Sequence, residues 1–236
     1  MSVAVPGVLT VLVVAKAPVP GLAKTRLMPV LTAEQAARVA AAALLDTLDA
    51  VAAVPGVNRV VALTGDLAAA TDAEELRSSL HRFTVLPQRG DGLGERLAAA
   101  HHDAALATGG PVLQIGMDTP QVSAELLAQC ADRLLGPDVD AVLGLAHDGG
   151  WWALGVRSAE LASVLPEVPM SRADTAARTI RALRSRAARV GLLAELGDVD
   201  EVGDAASVAM LVPGSRFHRA VSAVGLLDIA DGQLTR

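Results

Sequence analysis

The sequence predicts an α/β protein whose central sheet is mostly parallel. Strand-like apolar runs alternate with helix-like segments along all 236 residues, which is typical of this class. The first run, Val8–Ala15, is apolar on both faces, as expected for a strand covered by helices on both sides. Because ligands of such sheets bind beyond the carboxyl ends of the strands, the residues that follow each strand are the first candidates for function.

Each element of the first half has its own local signal. The β-branched residues of Val8–Ala15 favour a strand. Thr32 begins a long helix to about Ala53, since Gln35 completes a capping box and Pro55-Gly56 ends it. The same reasoning predicts strands over Arg59–Thr64, Phe83–Leu86 and Pro111–Gly116, and helices over Asp72–Leu80, Leu93–Thr108 and Ser123–Leu135.

The second half continues this alternation, without a repeat or an obvious linker. Ser171 and Asp174 form a second capping-box pattern, which predicts a helix from Ser171 to about Arg186. Strands are predicted over Asp140–Ala146, Trp151–Val156 and Arg189–Leu193, and helices over Glu201–Leu211 and in the tail after Pro213.

Composition excludes several classes of function. Aromatic residues make up 2% of the chain, with no Tyr, and the net charge is −6, so a nucleic-acid or membrane partner is not expected. The single cysteine, Cys130, excludes an internal disulfide or a cysteine-based zinc cluster. Val8–Ala15 is too short to span a bilayer and has no basic residue before it. We therefore expect a cytoplasmic protein.

The loop after the first strand concentrates unusual charge. The chain has 18 Arg but two Lys, and both lysines, Lys16 and Lys24, lie in this loop together with Arg26. A rigid loop that contains glycine and three cations can wrap a polyphosphate with its main-chain N–H groups and ammonium groups. It lacks the order of a Walker A motif. The alternative is a solvated basic turn.

Carboxylates follow two other predicted elements. Asp118 comes directly after the strand Pro111–Gly116, in a Pro turn where it is well placed to bind a divalent cation. Asp200 precedes the late helix and is a candidate either for its N-cap or for a second metal ligand, and Asp198 shares its side of an extended segment. Asp118 and Asp200 together would meet the needs of Mg²⁺ (or Mn²⁺), which binds one or two carboxylates with phosphate oxygens and water.

Two glycine-rich segments complete the set of candidates. The segment 147–150 is a hairpin signal, and Asp148 within it could also face a site while Gly149 and Gly150 let a substrate approach the backbone. The segment 87–96 contains Gln88, which can recognise a base, and three glycines that allow close approach of a flat ligand. By contrast, His101, His102 and Cys130 are interpreted as structural residues.

Five of these segments carry a resemblance to a known family. They are AKAPVPGLAKTRL at 15–27, PQRGDGLGERL at 87–97, IGMDTP at 115–120, AHDGGWWALGV at 146–156 and GDVDEVGD at 197–204. In this order they resemble the DUF2064 family, whose fold is the GT-A, nucleotide-diphospho-sugar-transferase-like fold. Members are also called transferase 1 of the radical-SAM/selenodomain-associated group. The first segment is also similar to the start of the 2-phospholactate guanylyltransferases.

The resemblance implies one GT-A domain over residues 1–236. Its nucleotide-binding half would cover about 8–120, its acceptor half about 121–212 and a helical tail 213–236. By position, Lys16, Lys24 and Arg26 would hold phosphates, Gln88 and Gly94 would lie near the base or ribose, and Asp118 and Asp200 would hold the metal. Three departures stand out: the family usually has Cys where Thr119 stands, Trp where Met170 stands and Thr-Pro where Glu201-Val202 stand.

These observations predict a metal-dependent transferase that uses a nucleotide-activated donor. The preferred reaction is nucleotidyl transfer from a nucleoside triphosphate to a phosphorylated small molecule, with Lys24 and Arg26 neutralising the leaving group. The alternative is glycosyl transfer from a nucleoside diphosphate sugar, with Asp148 as the base. A non-catalytic nucleotide-binding regulator is the third interpretation.

Overall fold

A computed structural model describes residues 7–197, 199 and 201–227. Seven strands form one sheet in the order β3-β2-β1-β4-β6-β5-β7, and helices cover both of its faces. The strands are β1 Thr10–Lys16, β2 Asn58–Thr64, β3 Thr84–Pro87, β4 Val112–Gly116, β5 Ala141–Leu145, β6 Trp151–Val156 and β7 Val190–Leu192. The helices are α1 Ala33–Ala53, α2 Ala73–Leu80, α3 Leu93–Thr108, α4 Ala124–Leu135, α5 Thr175–Ser185, α6 Val202–Leu211 and α7 Arg216–Ala223, with 3₁₀ segments at Thr25–Leu27 and Ala159–Glu167.

The direction of the strands brings distant segments to one edge of the sheet. β1 pairs in parallel with β2 and β4, whereas β6 runs antiparallel to both β4 and β5. The register pairs Ile115, near the end of β4, with Ala153, near the start of β6. The residues after β1, the residues after β4 and the β5–β6 turn therefore meet at the same edge. The prediction of an α/β, mainly parallel sheet is confirmed.

Helix α1 holds the basic loop against the body of the protein. Its predicted capping box is present: Thr32 Oγ1 accepts from the Gln35 N–H at 3.2 Å, and Gln35 Oε1 accepts from the Thr32 N–H at 2.9 Å. The predicted helix in the tail is α7, which packs on α1, and the Phe217 N–H donates to Asp46 at 2.8 Å.

Among the described residues, no helix is both long enough and apolar enough to cross a bilayer.

The second predicted capping box is wrong. Helix α5 begins at Thr175, and the side chain of its N-cap, Asp174, accepts no capping hydrogen bond from a main-chain N–H of the helix. It accepts instead from the side chain of Arg178 at 2.8 Å. Ser171 adopts a left-handed conformation, with φ +57°, instead of starting the helix. Thr175 organises a different turn, since its hydroxyl accepts from the Arg172 N–H at 3.1 Å and donates to the Pro169 carbonyl at 3.0 Å. This turn replaces the first helical residues that the capping pattern predicts.

Candidate functional site

Two cavities lie at the edge of the sheet where these segments meet. The large cavity, of about 470 Å³, lies between β4, β6, the start of α3 and the segment 170–175. The small cavity, of about 220 Å³, lies under the loop after β1. Both are lined by Arg26, Met117 and Asp118. A ligand in one cavity would therefore lie next to a ligand in the other at Asp118.

Lys24 and Asp118 form the contact at this junction. Lys24 Nζ lies 2.9 Å from Asp118 Oδ1, and the lysine side chain is 8% exposed while that of Asp118 is 37% exposed. Oδ1 has no hydrogen-bond partner of good geometry, so the contact is an ion pair rather than a well-directed hydrogen bond. Lys24 Nζ also donates to the carbonyl of Val199, whose N–H donates to the Asp118 carbonyl at 3.1 Å. Val199 is thus hydrogen-bonded to both Lys24 and Asp118.

The basic loop brings its three cations to the small cavity. Lys16, at the exposed end of β1, Lys24 and Arg26 all line it. Lys24 has φ +49°, a left-handed conformation that is unfavourable for a residue with a side chain. Strain of this kind accumulates at functional sites. The convergence of these cations agrees with the predicted phosphate site, and their individual roles stay a prediction.

Asp118 is the carboxylate that the sequence predicts as a metal ligand, and this role stays a prediction. Asp198 and Asp200 lie outside the described residues. The N-cap of α6 is Glu201, whose N–H donates to Asp204 at 2.7 Å, so the interpretation of Asp200 as that N-cap is wrong. In the described part of the chain, no group of three or more His, Cys, Asp or Glu side chains could hold a metal. The donors at Asp118 therefore fit an ion bound mainly by phosphate oxygens and water, as is usual for Mg²⁺.

Asp148 combines the two roles considered for it. It lies in the turn of the β5–β6 hairpin, and its Oδ1 accepts from the Gly150 N–H at 2.7 Å. It also lines the large cavity. Of the two glycines expected to let a substrate approach, Gly150 lines the large cavity and Gly149 does not. Gly149 has φ +85°, and a Cβ there would overlap the carbonyl of Ala173. The absence of a side chain at Gly149 lets the segment 170–175 pack against it. The Ala176 N–H donates to the Gly149 carbonyl at 3.0 Å.

The structure does not bring Gln88 and Gly94 to either cavity. Gln88 Nε2 donates to the carbonyls of Ala15 at 2.8 Å and Ala62 at 2.9 Å, so it links the ends of β1 and β2. A Cβ at Gly94 would overlap the carbonyl of Leu165. Glycine is therefore required there by the packing of α3 on the segment 159–167. The amide donors of Gln88 and the close backbone approach at Gly94 were expected to serve a nucleotide. Both are instead used in contacts with the protein's own main chain.

The large cavity contains polar residues that sequence reasoning missed. Gln114 on β4 is 3% exposed and Thr119 is 1% exposed, and both line this cavity. Among the described residues Thr119 Oγ1 has no hydrogen-bond partner, whereas the Gln114 side chain lies in hydrogen-bonding contact with the imidazole of His101. An amide in the middle of the apolar strand PVLQIG was the available signal for Gln114.

Tryptophan side chains form one side of the large cavity. Trp151 and Trp152 both line it, and their indole N–H groups donate to Thr179 Oγ1 at 3.2 Å and to the Ala194 carbonyl at 2.9 Å. Because both polar ends are satisfied by the protein, the rings present their apolar surfaces to the cavity.

His101 and Cys130 are structural, as predicted. His101 is fully buried on α3 beside Gln114, and burial lowers the pKa of its imidazole to about 4, so it is neutral at pH 7. His102, the next residue, is exposed. Burial raises the pKa of the Cys130 thiol to about 11, which leaves it protonated and unreactive.

Solved structures with the same fold include several transferases. A candidate nucleotide-diphospho-sugar transferase from Desulfovibrio desulfuricans G20 is 27% identical, with a TM-score of 0.78 and 95% of each chain covered. A cytidylyltransferase from Leptospira borgpetersenii is 11% identical, with a TM-score of 0.55 and coverage of 97% of this chain and 96% of that one. Rv0371c from Mycobacterium tuberculosis, solved with manganese, is 20% identical, with a TM-score of 0.50 and coverage of 86% and 98%.

The sequence comparison gives the family. No curated protein matches the chain. The profile described as "Uncharacterized protein conserved in bacteria (DUF2064)" matches residues 47–172, more than half of the sequence. The matched region contains β4 with Asp118, the hairpin with Asp148 and most residues of the large cavity. The protein belongs to the DUF2064 family and has the fold of the nucleotide-diphospho-sugar transferases.

Proposed function

We propose that this protein is a metal-dependent transferase that moves a nucleotidyl group from a nucleoside triphosphate to a phosphorylated small molecule. One observation carries the proposal: a small cavity lined by three cations and a large, mixed cavity meet at Arg26 and Asp118. A transferase needs two ligands whose reacting atoms touch. The likeness to the Desulfovibrio desulfuricans protein, over 95% of both chains, supports a nucleotide-activated donor.

The small cavity is the proposed site of the donor phosphates. Lys16, Lys24 and Arg26 would bind phosphate oxygens through charge-assisted hydrogen bonds, which are the strong ones among protein hydrogen bonds. Lys24 is the central group, because its ammonium is almost buried and already lies 2.9 Å from the Asp118 carboxylate. A cavity of about 220 Å³ is too small for a whole nucleotide, so the nucleoside would extend beyond it.

Asp118 is the proposed metal ligand, with Asp200 as the second carboxylate. When bound, Mg²⁺ or Mn²⁺ supplies positive charge to the phosphates and fixes their orientation. The manganese complex of Rv0371c agrees with divalent metal use on this fold. The ion pair between Lys24 and Asp118 neutralises this carboxylate in the ligand-free protein. On ligand binding, Lys24 would exchange Asp118 for a phosphate oxygen.

The proposed chemistry is an in-line displacement at the α-phosphorus. An oxygen of the acceptor forms a bond to that phosphorus, the bond from the phosphorus to the bridging oxygen breaks, and pyrophosphate leaves with the bond electrons. Lys24 and Arg26 would neutralise the charge that develops on the leaving group. The protein's own contribution is then positioning and electrostatics, with no protein nucleophile.

Glycosyl transfer from a nucleoside diphosphate sugar is the second candidate. It is favoured by the position of Asp148 on the large cavity, where its carboxylate could accept a proton from an acceptor hydroxyl. In this reaction the nucleoside diphosphate leaves, and the metal and cations of the small cavity would bind it.

A binding panel followed by product analysis tests the proposal. Nucleoside triphosphates and nucleotide sugars are compared by thermal shift, with and without Mg²⁺ or Mn²⁺, since a ligand at about 100 times its Kd adds roughly 2.7 kcal/mol of stability. Release of pyrophosphate from a bound triphosphate would support nucleotidyl transfer. Release of nucleoside diphosphate from a sugar donor would instead support glycosyl transfer. Tight binding without turnover would indicate a regulator.

A further inference from the structure

We propose that Lys24 makes cation binding at Asp118 conditional on the donor phosphates. In the ligand-free protein its ammonium group occupies the carboxylate, so a divalent cation gains access only when phosphates give the ammonium another partner. This inference rests on the proposed function where it assigns the donor phosphates to the small cavity. It adds that the protein takes up metal and nucleotide together and excludes the metal ion alone.

The Lys24 ammonium lies between oxygen atoms from two distant parts of the chain. Its Nζ lies 2.9 Å from Asp118 Oδ1 and also donates to the Val199 carbonyl. Carboxylate and carbonyl oxygens are the donors that suit Mg²⁺ and Mn²⁺. The ammonium therefore takes up oxygen atoms that would also attract a divalent cation.

Burial makes this occupation effective. The Lys24 side chain is almost buried, and so is Asp118 Oδ1. Solvent and salt screen charges poorly in such a place, so the ammonium would repel a divalent cation on the same carboxylate. Moving the ammonium away without a new partner would leave a buried charge unpaired, which is strongly unfavourable. Both routes oppose the binding of metal alone.

The surroundings hold Lys24 close to its acceptors. Leu27, three residues later, is fully buried and belongs to the same apolar cluster as the buried Val199. The Val199 N–H in turn donates to the Asp118 carbonyl at 3.1 Å. The loop and the two acceptors are thus anchored by contacts other than those of the ammonium, which keeps the ion pair in place until a competing partner arrives.

The donor phosphates provide that partner. Lys16 and Arg26 line the same small cavity and attract a polyphosphate independently of Lys24. A phosphate oxygen forms a charge-assisted hydrogen bond with an ammonium group. When Lys24 binds phosphate, the Asp118 carboxylate is left with an uncompensated negative charge that attracts a cation. Because coupling between two ligands is reciprocal, the metal also raises the affinity for the triphosphate.

The experiment measures the binding of Mn²⁺ alone, through the loss of the electron paramagnetic resonance signal of free Mn²⁺. Nucleotide is left out because it binds the metal in solution. Lys24→Gln removes the charge but keeps a donor for the Val199 carbonyl, and it meets the same backbone cost at φ +49°. It should tighten the Kd for Mn²⁺ by at least about tenfold, within the usual range of coupling between sites.

Lys16→Gln is the matched control, because it removes one positive charge from the same cavity at an exposed position. It should tighten the Kd by less than about threefold, since exposed charges are screened. Adding Asp118→Asn to Lys24→Gln should abolish the gain. Thermal unfolding checks that each variant is folded, and Lys24→Met, which also lacks the charge, replaces Lys24→Gln if that variant is not.

Three results would overturn the inference. They are a wild-type protein that binds Mn²⁺ alone as tightly as Lys24→Gln, an equal gain with Lys16→Gln, and a gain that survives Asp118→Asn. If Lys24→Gln gains Mn²⁺ at Asp118 while no triphosphate or nucleotide sugar produces a thermal shift, the proposed function fails and the exclusion of cations by Lys24 stands. If nucleotidyl transfer is observed and the wild type binds Mn²⁺ alone tightly, the proposed function stands and this inference fails.

Discussion

The two cavities on either side of Asp118 are built in opposite ways. The small cavity is lined mainly by one loop, which follows β1, and its chemistry is positive charge from Lys16, Lys24 and Arg26. The large cavity is assembled from six separate parts of the chain, and it is buried, polar and uncharged at Gln114 and Thr119. Under the proposed function, the small cavity would bind the donor phosphates through its charges, whereas the large cavity would select the acceptor through contacts from several parts of the chain.

The largest effect is expected where the two cavities meet. Asp118→Asn keeps the size of the side chain but removes its charge, so metal-dependent transfer should fall by at least roughly 100-fold. Initial rates of product formation measure this. Asp148→Asn is the comparison variant, because Asp148 lines the large cavity but not the small one. A larger loss with Asp148→Asn than with Asp118→Asn would favour Asp148 as a catalytic base and hence glycosyl transfer.

The small cavity should distinguish phosphates from nucleosides. Lys24→Ala should weaken binding of a nucleoside triphosphate by about 1.5–3 kcal/mol, the value of a hydrogen bond to a charged group, and leave nucleoside binding nearly unchanged. Calorimetric titration provides the affinities. Lys16→Ala should lose less, since Lys16 is exposed whereas the Lys24 side chain is 8% exposed. Equal losses for nucleoside and triphosphate would mean that Lys24 supports the fold rather than a phosphate.

The wall of the large cavity should depend on close packing at α3. Gly94→Ala places a Cβ against the Leu165 carbonyl and should lower the free energy of unfolding by about 1–3 kcal/mol, as overpacking does. Gly92→Ala is the matched control, because nothing lies within 4 Å of its Cβ position. Denaturant unfolding of both variants measures the difference. A Gly94→Ala protein of normal stability that has lost nucleotide binding would restore the role in nucleotide binding that the sequence suggested.

The smallest expected effect concerns the buried histidine beside Gln114. Burial lowers the pKa of His101 to about 4 in the folded protein, below the ordinary value of 6.5. Between these values the unfolded state binds a proton that the folded state does not, so the free energy of unfolding falls as pH falls. The contribution is at most about 1.4 kcal/mol per pH unit. In unfolding curves at pH 7 to 5, His101→Met should show a correspondingly smaller pH slope. An unchanged slope would contradict the burial of a neutral imidazole.

The contrast between the cavities also explains what could be predicted from sequence. The strands and the capping box at Thr32 depend on neighbouring residues, and these predictions agree with the structure. The cations of the first loop line one cavity, and their binding of phosphate stays a prediction. The capping box at Ser171 failed because Thr175 offers a competing turn within four residues. The contacts of Gln88 with Ala62 and of Gly94 with Leu165 could not be predicted, because these partners are distant in sequence.

The large cavity could not be predicted as a whole for the same physical reason. Its lining runs from Val14 to Thr175, and the antiparallel strand β6 brings the hairpin and the segment 170–175 next to β4. Contacts between residues that are far apart in the chain do not produce a periodic pattern of apolar residues from which the cavity could be predicted. The one local signal was the isolated amide of Gln114 within an apolar strand.

The central claim is that a metal bound with nucleotide at Asp118 lies beside the large cavity. Paramagnetic Mn²⁺ tests it through the indole N–H signals of Trp151 and Trp152, the two tryptophans of the chain, which share that cavity with Asp118. In ¹H–¹⁵N spectra, Mn²⁺ with a nucleoside triphosphate should broaden both signals in the wild-type protein, and Mg²⁺ should not. Asp118→Asn should prevent the broadening at the same Mn²⁺ concentration. Signals that stay sharp in the wild type, or that broaden equally in Asp118→Asn, would contradict the account.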